Sequence, residues 1–67
     1  MDETRLSAEI RKRGLKKGWV AEQAGVSRSA MAMIVNGKSD PTLRTARKIA
    51  KVLGVTIEEL WPDEEDE

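Results

Sequence analysis

The residues of this sequence that could do chemistry are cations and amides, not nucleophiles. Neither Cys nor His occurs in the 67 residues. That removes thiolates, disulfides, Cys-ligated zinc, the commonest metal ligand and the commonest general base. Ser, Thr and acidic residues are scattered, and no nucleophile, base and pocket converge. No enzyme activity, metal, cofactor or small-molecule substrate is therefore expected. What recurs is a set of donors suited to a polyanion. Lys16 and Lys17 follow the basic run Arg11-Lys12-Arg13, while Asn36, Lys38 and Arg44 surround a polar loop. Between these groups lie Arg28, Ser29, Ala32 and Met33. Lysine and arginine neutralise phosphates, an arginine fork matches the guanine edge, and small apolar groups suit a thymine methyl. Each residue also has a plainer role. A basic run is commonly a solvated face, and Met33 can top up a core or a dimer contact.

The charge distribution narrows the choice of partner. The formal net charge is zero, yet all twelve basic residues lie between Arg5 and Lys51. Residues 63–67, Asp-Glu-Glu-Asp-Glu, carry five acids and no base, so the body 1–62 carries +5 and the tail −5. A basic body with an acidic tail suits a nucleic-acid-binding domain, although many solvated helical domains are unevenly charged too. The length allows one domain near the lower limit for folding without staples. The longest apolar run, Ala30 to Val35, is too short to cross a bilayer, and no secretion signal is evident. The expectation is a soluble cytoplasmic protein with a domain at 1–62 and a disordered acidic tail at 63–67. That tail serves solubility by default; otherwise it competes with DNA for the basic body or binds a partner.

Five helices must position these groups. Helix one is expected over Thr4–Arg13, with Leu6 and Ile10 on one face and Gly14 as terminator. Helix two, about Lys17–Ala24, is locally weak: Lys16 is a poor cap and Gly18 costs roughly 1 kcal/mol against Ala. Packing of Val20, Ala21 and Ala24 must hold it, and Trp19 is expected to be partly buried. Gly25 ends it and Ser27 caps helix three, Arg28–Val35. Two helices across so short a turn form a helix-turn-helix, whose second helix enters the DNA major groove. At about 100° per residue, Ala30, Met31 and Ile34 share a core-facing arc, and Arg28, Ser29, Ala32, Met33 and Asn36 share the outward one. Thr42 caps helix four, Leu43–Leu53. Its apolar stripe is Leu43, Ala46, Ile49, Ala50 and Leu53, with Arg44, Arg47, Lys48 and Lys51 opposite. Gly54 ends it. Thr56 and Glu59 form a capping box opening a short fifth helix, with Ile57, Leu60 and Trp61 apolar and Pro62 as stop.

The stretch Leu15–Trp61 resembles the phage-repressor helix-turn-helix family, the Cro/CI or XRE type. The residues carrying the resemblance are Ala21-x-x-x-Gly25-Val26-Ser27, Asn36-Gly37, Pro41 and Leu53-Gly54-Val55-Thr56-Ile57-Glu58-Glu59-Leu60. The resemblance implies an all-α, compact five-helix bundle of the lambda-repressor-like type. It also implies binding of double-stranded DNA at a palindromic operator, as a homodimer, to regulate transcription, most often as a repressor. Arg28, Ser29, Ala32 and Met33 fall on its base-reading positions. Lys17, with Lys16 beside it, falls at the phosphate-contacting start of helix two, where members often carry Gln. Asn36 and Lys38 match the backbone-touching turn, and Arg44 lies within reach of a phosphate. The self-contact is expected on helix five, at Ile57, Leu60 and Trp61. Many members pair an Arg in helix one with a Glu near the end of helix three. Ile10 and Val35 occupy those positions here and are expected to pack together, since apolar replacement of a buried ion pair is tolerated. The apolar Ala32–Met33 face leaves a second reading open: a protein-interaction module on the same fold, such as an antitoxin-like or anti-repressor partner.

Overall fold

The computed structural model describes residues 3–62. The expected disordered tail, 63–67, lies outside the described residues. Five α-helices follow one another: α1 Arg5–Lys12, α2 Lys17–Ala24, α3 Arg28–Val35, α4 Leu43–Leu53 and α5 Ile57–Leu60. Helix one is thus one residue shorter at each end than expected, because Thr4 and Arg13 serve as its caps.

Hydroxyls start four of these helices. Thr4, Ser27, Thr42 and Thr56 each accept a hydrogen bond from the amide three residues on, satisfying a donor that no helix bonds internally. At the start of α5 the Glu59 carboxylate also accepts from the Thr56 amide at 3.2 Å, completing the reciprocal capping box. Lys16, before α2, makes no such bond.

Four of the five helix ends share one device. A glycine at positive φ turns the chain out of the helix, and the next residue's amide bonds back to a carbonyl one turn earlier. Leu15 bonds to Ile10, Val26 to Ala21, and Val55 to Ala50, at 2.8–3.0 Å. In these three cases the residue after the glycine is apolar and packs against the core. After α3 the same geometry holds, with Lys38 bonded to Met33 at 2.9 Å. There the following residue is an exposed lysine. α3 therefore ends on an exposed lysine, where α1, α2 and α4 end on a hydrophobic plug.

α2 sits in the middle, packed against both α3 and α4, and α5 bridges α1 and α4. The core joins Leu6 and Ile10 of α1, Val20, Ala21 and Ala24 of α2, Met31, Ile34 and Val35 of α3, and Ile49, Ala50, Leu53 and Leu60 beyond. Ile10 and Val35 are both buried in this one cluster. A long-range bond also ties α1 to α3: the Thr4 hydroxyl, while capping α1, donates to the Val35 carbonyl at 2.6 Å.

Three expectations need correcting. Ala30 is exposed, because the buried arc of α3 is centred between Met31, Ile34 and Val35 and leaves the first turn outside. Leu43, expected in the core stripe, is 62% exposed. It occupies the first position of α4, ahead of the buried residues Ala46, Ile49, Ala50 and Leu53. Trp19 is 45% exposed and counts among the exposed large hydrophobics. It points off the stripe that packs α2 while its neighbour Val20 is fully covered.

Candidate nucleic-acid interface

The outward face of α3 is built by the same periodicity that builds the core. Met31, Ile34 and Val35 are buried, while Arg28, Ser29, Ala32, Met33 and Asn36 are exposed. Met33 is 46% exposed, next to the exposed Ala32. Ser27 supports the first turn of this helix by accepting from the Ala30 amide at 3.1 Å, so Arg28 and Ser29 project from a capped, ordered end.

Arg28 does not stand alone. Its guanidinium lies across the first turn of α2: a β-carbon placed on Gly18 would sit 3.6 Å from its Cζ, Nε and Nη2. Lys17, Gly18, Arg28, Met31 and Ala32 line a small notch of about 210 Å³ at this junction. Gly18, which weakens α2 locally, forms part of the surface on which Arg28 rests, and a methyl there would meet the guanidinium at ordinary contact distance. The sequence offers no spacing rule that would have revealed this pairing across the turn.

Around this notch lie the other cations. Lys16 and Lys17 are exposed at the start of α2, whose amides lack a side-chain cap. Free amides at a helix start carry partial positive charge and favour anions. Asn36 and Lys38 are exposed at the end of α3, and Arg44 is exposed in the first turn of α4. Among the described residues the ion pairs fall on α1 and just before it: Glu3 with Arg11, and Glu9 with Lys12 and Arg13. Arg11, Lys12 and Arg13 are thus partly neutralised, whereas Lys16, Lys17, Arg28, Lys38 and Arg44 have no carboxylate within ion-pair distance among the described residues. The Arg11 guanidinium hydrogen-bonds the Glu3 carboxylate and holds its pKa below the usual value, and Glu3 in turn raises that of Arg11.

The residues expected for self-association lie elsewhere. Ile57 and Trp61 are half-buried, and Leu60 is buried beneath them as part of the core. With Pro41, Leu43 and Ala46 they line an open groove of about 670 Å³. Leu43 is the residue of this groove that sequence reasoning missed, since its spacing reads as core. No group of His, Cys, Asp or Glu among the described residues is placed to hold a metal ion. No helix there is long and apolar enough to cross a membrane.

Comparison with known proteins gives a consistent result. The helix-turn-helix family model HTH_3 matches residues 8–60. An uncharacterized HTH-type transcriptional regulator of Methanocaldococcus jannaschii is 48% identical over 48 residues, 72% of this chain and 73% of that protein. Another from Archaeoglobus fulgidus is 34% identical over 64 residues, 96% of this chain and 91% of that protein. Among solved structures, the restriction-modification controller protein C.AhdI of Aeromonas hydrophila superposes with a TM-score of 0.78 at 27% identity, covering 84% of this chain and 85% of that one.

Proposed function

The chain belongs to the helix-turn-helix family HTH_3, and from that premise we propose that it is a sequence-specific double-stranded DNA-binding protein acting as a small transcriptional repressor. The observation that carries this reading is the division of α3. Its buried side is sealed by Met31, Ile34 and Val35, and its other side presents Arg28, Ser29, Ala32 and Met33 to solvent beside cations that have no ion-pair partner among the described residues. In this account α3 lies in the major groove. Arg28 takes the two acceptors of a guanine, Ser29 serves as a short-range donor or acceptor, and Ala32 and Met33 meet thymine methyls. Lys16, Lys17, Asn36, Lys38 and Arg44 hold the backbone on either side and set the register, contributing affinity without sequence information.

One domain of this size reaches few base pairs, so a homodimer on a palindromic operator completes the reading, with half-sites about one helical turn apart. The groove of Leu43, Ile57 and Trp61 supports self-association: it gathers exposed and half-exposed apolar area around α5. Leu60 forms its floor and supports the contact from below.

A second reading draws on the exposure of Met33 and Trp19. Large apolar side chains left in water suit a protein partner, as in an antitoxin-like module. Selection of bound sequences from random duplex DNA, followed by gel shifts at low and moderate salt, separates the two. A regulator yields an enriched palindromic motif and binding that weakens steeply with salt. A protein-interaction module yields no motif and no strongly salt-dependent binding.

A further inference from the structure

We infer that the acidic segment 63–67 docks in cis on the basic face of α4 and there competes with DNA. The receiving surface is a shallow depression of about 590 Å³ lined by Leu43, Arg44, Arg47, Lys48 and Lys51. All five residues are exposed. The four cations recur at helical spacing, so they form one stripe along α4. None has a carboxylate within ion-pair distance among the described residues, where the ion pairs involve only cations of α1 and its cap. Four like charges on one face repel one another, and a counter-charge there relieves that repulsion.

Position and reach select the occupant. Leu43 is a wall of this depression and also of the neighbouring groove, whose other wall holds Trp61 and Pro62. The chain therefore leaves the described fold at Pro62, on a groove that shares Leu43 with the basic stripe. The five residues after Pro62 are Asp63, Glu64, Glu65, Asp66 and Glu67. An extended segment of that length spans roughly 17 Å, about the length of an eleven-residue helix such as α4. Such a short tether holds its carboxylates at an effective concentration in the millimolar range. Weak individual ion pairs then suffice. The competing role of this contact rests on the DNA-binding reading, because Arg44 serves both partners: a carboxylate on Arg44 withdraws it from a phosphate.

The test uses the full chain with the segment neutralised, D63N/E64Q/E65Q/D66N/E67Q, compared with the natural sequence by amide NMR without DNA. Docking predicts shift differences concentrated at Leu43–Lys51 that vanish at 0.5 M salt and do not change with protein concentration. A second variant, R47E/K51E, should erase those differences when combined with the neutralised segment. Differences confined to the segment itself, or spread over the surface, overturn docking. Differences that grow with protein concentration overturn the cis arrangement. On duplex DNA the neutralised chain should bind about three- to tenfold tighter at low salt, the scale of a few exposed ion pairs, and equally at high salt. Unchanged affinity despite the NMR signature overturns the competition. Failure of both chains to bind any duplex overturns the proposed function and leaves the docking result standing.

Discussion

Replacing Thr4 by valine tests whether α3 is held in place by a bond that crosses half the sequence. The Thr4 hydroxyl accepts from the Ser7 amide at 3.0 Å and donates to the Val35 carbonyl at 2.6 Å. Valine keeps the shape and removes both bonds. Loss of an N-cap costs about 1 kcal/mol. The Val35 carbonyl, at the end of a buried residue, also loses its partner, which costs roughly a further 1–2 kcal/mol. The sum is about 2–3 kcal/mol, and a domain of this size loses about 4–8 °C of Tm per kcal/mol. Thr4→Val should therefore lower Tm by about 8–24 °C. Thr4→Ser keeps the hydroxyl and sheds one half-buried methyl, so it should cost less than half as much. Urea and thermal unfolding followed by circular dichroism at 222 nm measure both. A Thr4→Val stability within about 0.5 kcal/mol of the parent, or equal losses for the two variants, would refute the argument. The consequence for function is positional. A chain without the tie should also bind its selected DNA less tightly at temperatures where it is still folded, because α3 is less firmly anchored at its far end.

Further outcomes follow from single sites. Gly18→Ala should gain up to about 1 kcal/mol in urea unfolding, because the new methyl meets the Arg28 guanidinium at an ordinary 3.6 Å. Gly37→Ala should lose about 1–2 kcal/mol, since φ is +74° and the methyl would sit 3.2 Å from Thr4 Cγ2. Leu43→Asp should leave stability within about 0.5 kcal/mol, as the side chain is 62% exposed. It should nevertheless abolish self-association in sedimentation on operator DNA, and a persistent dimer would move the interface elsewhere. The Glu3 carboxyl should titrate below the usual carboxylate range, and Arg11→Gln should raise it. Because folding depresses this pKa, the small stabilisation it brings is present at neutral pH and is lost as pH falls through the folded value. Added salt should weaken it, since both groups are open to solvent.

Local signals made most of the fold legible. Ser27, Thr42 and Thr56 stand directly before apolar-periodic runs, and a hydroxyl there has one evident use. Gly25 and Gly54 stand directly after such runs. The outward face of α3 was legible because Arg28, Ser29, Ala32 and Met33 fall opposite Met31 and Ile34 on any helical wheel. What stayed hidden depends on tertiary placement. The Thr4–Val35 bond joins residues 31 apart, and no spacing rule connects them. Leu43 and Ala30 fit the apolar pattern yet lie in first turns, ahead of the buried residues of their helices. Arg28 reaches Gly18 only because α2 and α3 meet across the turn at one particular angle. Lys38 is an instructive intermediate case. Its place after a glycine was readable, but its standing where three other helix ends carry an apolar plug emerged only by comparing the four ends in space.

In the proposed function α3 reads bases while the cations around α2 hold the backbone. The affinities of the parent, Arg28→Ala and Lys17→Ala chains for a selected site and a scrambled one, each at two salt concentrations, test it most directly. Arg28→Ala should lose about 1–3 kcal/mol on the selected site alone and relax preference at one base pair. Lys17→Ala should weaken both duplexes alike and reduce the salt slope by about 1. Two variants that lose the same affinity on both duplexes would contradict the division of labour on which the account stands.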